Sequence, residues 1–110
     1  MKLMNPQMKV VQPSGILNSS LAAQLCHEVE DSIKAGSNLI LVDLQAVTFI
    51  DSSGLGGLVN AFKADRAAAG RLVLCSVCEQ GRMLLEISGM DQVFEIFPTQ
   101  NDFNQSLNKV

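Results

Sequence analysis

Apolar side chains recur every four positions in one long segment near the start of the chain. The positions are Leu21, Leu25, Val29 and Ile33. This spacing places them on one side of a helix, so we predict a helix over residues 20–35. Gly36 follows as a helix stop, and the amide and hydroxyl residues at 18–20 can each cap its start.

Similar apolar stripes predict three further helices. The first begins after the serines at 52 and 53, and the second spans residues 79–88. The third follows a capping box that starts at residue 99. In the helix over residues 79–88, the expected inward face consists of Met83, Leu84 and Ile87. The alternative is an exposed partner surface that includes Met83, Leu84 and Met90.

Short apolar runs lie between these helices and predict strands. The runs are residues 8–12, 39–42, 72–74 and 93–97. Residues 49–50 are expected to extend the sheet of residues 39–42 after a turn. Because strands and helices alternate, we predict a single α/β domain over residues 1–110. We expect a small mixed sheet of about four or five strands, at least partly parallel, with about four helices.

Composition excludes several classes of function. The chain has 110 residues, a net charge of −3, and no Trp or Tyr. Nucleic-acid surfaces rely on positive charge and stacked aromatic rings, so we expect no nucleic-acid partner. We also expect a cytoplasmic protein without membrane contact, because there is neither an apolar run of about 20 residues nor the apolar core of a signal peptide. No motif indicates a cofactor or a metal.

The candidate chemistry lies where an apolar segment meets a helix start. The residues are Asp51, Ser52, Ser53, Gly54, Leu55, Gly56 and Gly57. The first turn of a helix has free N–H groups and partial positive charge, so it suits a bound or attached phosphate. Each glycine there costs roughly 1 kcal/mol relative to alanine. Such a cost is explained either by close packing of another element or by a docking partner.

A serine hydroxyl needs a base before it can react. The chain has one histidine, His27, and the pattern matches neither a hydrolase elbow nor a nucleotide-binding loop. One interpretation is that Asp51, Ser52 and Ser53 are redundant caps. The other is that a kinase phosphorylates Ser53 and adds about −1.5 to −2 charge at the helix start.

The motif Asp51-Ser52-Ser53-Gly54-Leu55-Gly56 resembles the signature of bacterial anti-sigma factor antagonists, the STAS domains. Further similar segments are residues 15–17, 42–44, 47–50, 70–74 and 87–90. The resemblance implies a small α/β domain without catalytic activity of its own. It also implies that the unphosphorylated protein binds an anti-sigma factor, and that binding frees the sigma factor.

In that family the anti-sigma factor is also a serine kinase of the histidine-kinase-like ATPase fold, and a metal-dependent serine phosphatase reverses its action. The resemblance assigns the phosphate to the second hydroxyl residue of the motif, which is Ser53. It implies that Asp51, Ser52 and Gly54 shape the site. It implies a docking surface that includes Leu55, Gly56, Gly57 and Asn18. Family members often carry an acid at the position of Asn18, beside the phosphorylated serine.

Two cysteines provide an alternative function. Cys75 and Cys78 form a Cys-x-x-Cys at a predicted strand-to-helix junction, where a redox dithiol gains a lowered pKa. The alternative function is therefore a thiol-disulfide redox protein. The simpler interpretation is two small, partly buried cysteines around a turn.

Overall fold

The structure, a computed structural model, describes residues 8–108. Its strands are β1 (Met8–Val11), β2 (Gly15–Leu17), β3 (Leu39–Asp43), β4 (Val47–Ile50), β5 (Arg71–Cys75) and β6 (Glu95–Phe97). Its helices are α1 (Ser19–Lys34), α2 (Ser52–Ala67), α3 (Glu79–Ser88) and α4 (Gln100–Leu107), with a short 3₁₀ helix at Met90–Gln92. The predicted α/β class and the four predicted helices are confirmed.

The described strands form two sheets, and every strand pair in them is parallel. The larger sheet has the order β1-β3-β5-β6, and β2 pairs with β4 in a separate two-stranded sheet. The expectation that residues 49–50 extend the sheet of β3 is therefore wrong. A tight turn, in which the Val47 amide donates to the Leu44 oxygen at 3.0 Å, carries β4 away from the larger sheet.

The larger sheet is buried on both faces, which explains its continuous apolar strands. Ile40 and Val42 face the core under α1, α2 and the β2–β4 pair, while Leu39 and Leu41 face a smaller cluster around Phe103 of α4. Among the helices within residues 8–108, none has both the length and the apolarity needed to cross a membrane.

Helix α3 presents a different face to the core from the one the sequence predicts. Met83 is 56% exposed and Ile87 is 81% exposed, whereas Leu85 is fully buried and Leu84 only partly so. The expected inward positions of Met83 and Ile87 are therefore wrong. The reason is Gly81, where a Cβ atom would lie 2.7 Å from Ile50 Cδ1. This close approach turns the Gly81–Leu85 side of α3 inward and directs Met83 outward.

Candidate functional site

Two helices begin side by side at the end of the β2–β4 pair. Leu17 is aligned with Ile50, so the next residues, Asn18 and Asp51, occupy neighbouring positions. Asn18 caps α1, its Oδ1 accepting a hydrogen bond from the Leu21 amide at 3.0 Å. Asp51 caps α2, its carboxylate accepting from the Gly54 amide at 2.7 Å. The parallel pairing thus brings Asn18 beside the serine motif.

Ser52 and Ser53 are the first two residues of α2, and both are exposed. Asp51 already occupies the Gly54 amide, and the Leu55 amide donates to the Asp51 backbone oxygen at 2.9 Å. The amides of Ser52 and Ser53 lie in the first turn, where no helical carbonyl can accept from them. The site therefore combines reachable hydroxyls, two first-turn amides and one carboxylate.

The three glycines of the motif have different physical roles. A Cβ atom on Gly54 would lie 1.9 Å from the Leu17 oxygen, and one on Gly57 would lie 2.2 Å from the Ala22 Cβ. Both glycines are buried and allow α2 to pack closely against β2 and α1. Gly56 is exposed, and a Cβ atom there would meet nothing within 4 Å. Packing therefore explains Gly54 and Gly57 but not Gly56.

Leu55 is half-buried and packs against the core. Of the predicted docking residues, Asn18, Ser52 and Gly56 are exposed, while Gly54 and Gly57 are buried. An exposed apolar pair lies next to them on the β2–β4 sheet. Ile16 and Phe49 are register partners there, 54% and 45% exposed. This pair was not expected, because the sequence did not predict β2.

Cys75 and Cys78 are free thiols in unlike surroundings. Cys75 is fully buried at the end of β5, and burial, aided by the nearby Asp43 charge, raises the pKa of its thiol to about 11. Cys78 caps α3, its sulfur accepting from the Gly81 amide at 3.4 Å. A thiol that stays protonated at neutral pH is a poor nucleophile, so the surroundings of Cys75 do not favour the redox alternative.

Asp43 is the last residue of β3, and its carboxylate binds residues just after β1 and β3 rather than the serine motif. Its carboxylate accepts from the Gln12 side chain at 3.0 Å and from the Gln45 amide at 3.1 Å. His27 is exposed on α1. Across residues 8–108, no three side chains of the His, Cys, Asp and Glu types are grouped so that they could hold a metal ion.

Gln80, in the first turn of α3, was not among the predicted site residues. Its side-chain amide donates to the Ile50 oxygen and accepts from the Ile50 amide, both at 2.8 Å. No sequence pattern marks such a residue, because the contact joins positions 30 residues apart. Gln80 thus contacts the residue directly before Asp51.

Two curated relatives of this chain carry the name anti-sigma factor antagonist or anti-sigma-B factor antagonist. BtrV of Bordetella bronchiseptica is 34% identical over 87 residues, which are 79% of this chain and 72% of BtrV. The anti-sigma-B factor antagonist of Listeria monocytogenes is 35% identical over 66 residues, which are 60% of this chain and 58% of that protein. The chain therefore spans less than two thirds of the Listeria relative.

Solved structures share the fold along nearly the whole chain. The crystal structure of TM1081 from Thermotoga maritima matches with a TM-score of 0.83 and 25% identity, covering 97% of this chain and 92% of TM1081. The phosphorylated form of the Bacillus protein SpoIIAA matches with a TM-score of 0.69 and 18% identity over 96% of both chains, which shows likeness of fold alone. Residues 2–103 match the model of the STAS domain, and the chain belongs to the STAS domain family.

Proposed function

We propose that this chain is an anti-sigma factor antagonist that is switched by phosphorylation of Ser53. In its unphosphorylated form it binds an anti-sigma factor that is also a serine kinase of the histidine-kinase-like ATPase fold. Phosphorylation of Ser53 ends that complex, and a metal-dependent serine phosphatase restores the binding form. The chain acts as a substrate and a binding module in the cytoplasm, without catalysis of its own.

The exposure of Ser53 in the first turn of α2 carries this proposal. Its hydroxyl is accessible, while the helix that holds it is seated by the close contacts of Gly54 and Gly57. A kinase needs a reachable hydroxyl on a well-defined segment and brings its own base and nucleotide. The name of the Listeria relative supports the same function.

The electrostatics of the site support a switch that acts on the partner rather than on the fold. A phosphate on Ser53 adds about −1.5 to −2 charge, which the amino end of α2 tolerates. The Asp51 carboxylate, which caps the same turn, adds a further negative charge at that end. Phosphorylation therefore makes a small surface strongly negative, and a partner that fits the neutral serine loses affinity.

The partner surface extends from the serine motif onto the β2–β4 sheet. Asn18, Ser52 and Gly56 supply small or polar exposed positions, and the Ile16–Phe49 pair supplies apolar area. Phe49 precedes Ser53 by only four residues. A partner that contacts Phe49 would therefore also cover Ser53, which joins binding to phosphorylation.

A pull-down with matched variants tests the proposal. Wild-type chain, Ser53→Asp and Asn104→Asp are immobilised and exposed to lysate of the native organism with ADP, and the retained proteins are identified by mass spectrometry. Asn104 is exposed on α4, so its variant adds the same charge on a different helix. We expect an ATPase-fold serine kinase on wild type and Asn104→Asp, with severalfold less on Ser53→Asp. Equal retention on all three would contradict the charge switch.

A further inference from the structure

The side chain of Gln80 occupies the place of a neighbouring strand at the end of β4. On one side β4 pairs with β2. Beyond that pairing, the Gln80 amide satisfies both the N–H and the C=O of Ile50, with Nε2–O and Oε1–N distances of 2.8 Å. Ile50 is only 1% exposed, so unpaired backbone groups there would be costly. One glutamine side chain therefore supplies both hydrogen bonds.

Two contacts fix the position of the first turn of α3, which carries Gln80. Cys78 caps the helix through the Gly81 amide at 3.4 Å. Gly81 lies so close to Ile50 that a Cβ atom would be 2.7 Å from Ile50 Cδ1. This approach brings Gln80 within reach of the Ile50 backbone. The Cys-x-x-Cys segment thus contributes a helix cap to the arrangement.

Ile50, whose backbone binds Gln80, directly precedes the serine motif. Ile50 is followed by Asp51, whose amide donates to the Leu17 oxygen at 3.1 Å. Gln80 and Leu17 thus hold two consecutive peptide units just before α2 begins. Any rotation of the Ile50 peptide would turn the first residues of α2, because Ser53 follows only three positions later.

We infer that Gln80 is a positioning residue for the phosphate acceptor Ser53, an inference that rests on the proposed function. By fixing the Ile50 peptide, it holds the Ser53 hydroxyl in one orientation toward the kinase. Gln80 is half-buried and its side-chain amide is occupied by the Ile50 backbone, so that amide is not free to bind the partner. Its loss therefore slows phosphoryl transfer more than it weakens docking.

Backbone amide exchange measured by NMR tests the contact between Gln80 and the Ile50 backbone without any partner. Gln80→Met keeps the side-chain length and removes both hydrogen bonds, and Gln24→Met is the control on the exposed surface of α1. We expect about a tenfold loss of protection at the Ile50 amide in Gln80→Met, in line with one lost buried hydrogen bond. We expect no change in Gln24→Met. Unchanged protection in Gln80→Met overturns the inference.

Gln80→Glu provides a conservative rescue. At neutral pH its carboxylate cannot donate to the Ile50 oxygen and repels it, which displaces the side chain from the Ile50 backbone, so protection of the Ile50 amide falls. Below about pH 4 the protonated carboxyl can donate and accept, so protection returns toward the wild-type value measured at the same pH. Failure of acid to restore protection, in a variant that still unfolds cooperatively in urea, contradicts the hydrogen-bonding role.

Phosphorylation kinetics with the kinase recovered on the immobilised wild-type chain complete the test. We expect Gln80→Met to lower kcat about tenfold and to change KM less than twofold, while Gln24→Met changes neither. A rise in KM alone would overturn the positioning role. If wild type accepts no phosphate while exchange at Ile50 changes as expected, the proposed function fails, but the contact between Gln80 and the Ile50 backbone is supported.

Discussion

A Cβ atom on Gly54 would lie 1.9 Å from the backbone oxygen of Leu17, a distance that no side chain can occupy. The same carbonyl accepts from the Asp51 amide at 3.1 Å, so it cannot move away without loss of that hydrogen bond. Gly54 is therefore required by the junction between β2 and α2. Gly56, two residues later, is free of any such contact.

The first prediction is that alanine at position 54 and alanine at position 56 change the free energy of unfolding in opposite directions. We expect Gly54→Ala to destabilise the fold by about 3 kcal/mol, because the added methyl group would overlap the Leu17 backbone, which cannot move aside as a side chain can. We expect Gly56→Ala to stabilise it by up to about 1 kcal/mol through helix propensity. Urea unfolding measures both, and a stable Gly54→Ala would contradict the packing argument. On the proposed function, Gly56→Ala also weakens kinase binding, because residue 56 is exposed one helical turn after Ser53.

The second prediction concerns the phosphorylated residue. We expect Ser53→Ala to abolish phosphorylation by the recovered kinase and to unfold at the wild-type urea concentration, because the Ser53 side chain is exposed. Ser52→Ala is the matched control and keeps Ser53 available. Phosphopeptide mapping distinguishes the two hydroxyls. Efficient labelling of Ser53→Ala at Ser52 would refute the assignment.

The third prediction uses the exposed apolar pair. We expect Phe49→Ala to weaken binding of the kinase severalfold, with little change in the free energy of unfolding. Ile87→Ala is the control, since Ile87 is also exposed and lies on α3. Calorimetric titration gives both affinities. Equal affinities for the two variants would exclude Phe49 from the interface.

The fourth prediction concerns Asp65, which is 1% exposed near the end of α2 and has no hydrogen-bond partner for Oδ1. Burial raises the pKa of its carboxyl. The nearby charges that line the same hollow are Arg66, Arg71 and Glu95, and the last two pair with each other. Because the folded pKa exceeds the unfolded value of about 3.9, the contribution of Asp65 to stability is fully present below that pH. It is lost as the pH rises through the folded pKa.

We therefore expect Asp65→Ala to be more stable than wild type at pH 7, on the order of 1–2 kcal/mol, because an unpartnered buried carboxylate is removed. The advantage should shrink as the pH falls toward 4. Asp31→Ala is the control, since Asp31 is exposed at a similar place in α1. Urea unfolding across this pH range measures the difference. A gain that is constant with pH would exclude ionisation of Asp65 as its cause.

The fifth prediction concerns the thiol of Cys75, whose pKa is raised to about 11 by burial. We expect maleimide to label Cys75 far more slowly in the folded chain than in urea at pH 7. The rate should rise as the pH approaches 11, because the thiolate is the reactive form. Peptide mass spectrometry separates Cys75 from Cys78. Labelling of Cys75 as fast in the folded chain as in urea would revive the redox alternative.

Local patterns determined much of this protein from the sequence. Periodicity and turn residues predicted α3 at its observed bounds and α1 to within one residue, since both depend on neighbouring positions. The continuous apolar runs at residues 39–42 and 72–74 predicted strands, and the two clusters on either face of β3 and β5 account for their apolar character. The serine motif at a helix start was equally local, and its likeness to STAS domains identified the family.

The resemblance placed Asn18 near that motif, but only the tertiary structure decided how distant segments contact it. The pairing of β2 with β4 places Asn18 beside Asp51, and the contact of Gly81 with Ile50 sets the inward face of α3. The separate roles of Gly54 and Gly56 likewise depend on an atom of Leu17, far away along the chain. These features follow from the close approach of distant segments. Such approaches leave no periodic signal in the sequence, because each is set by the shape of the whole core.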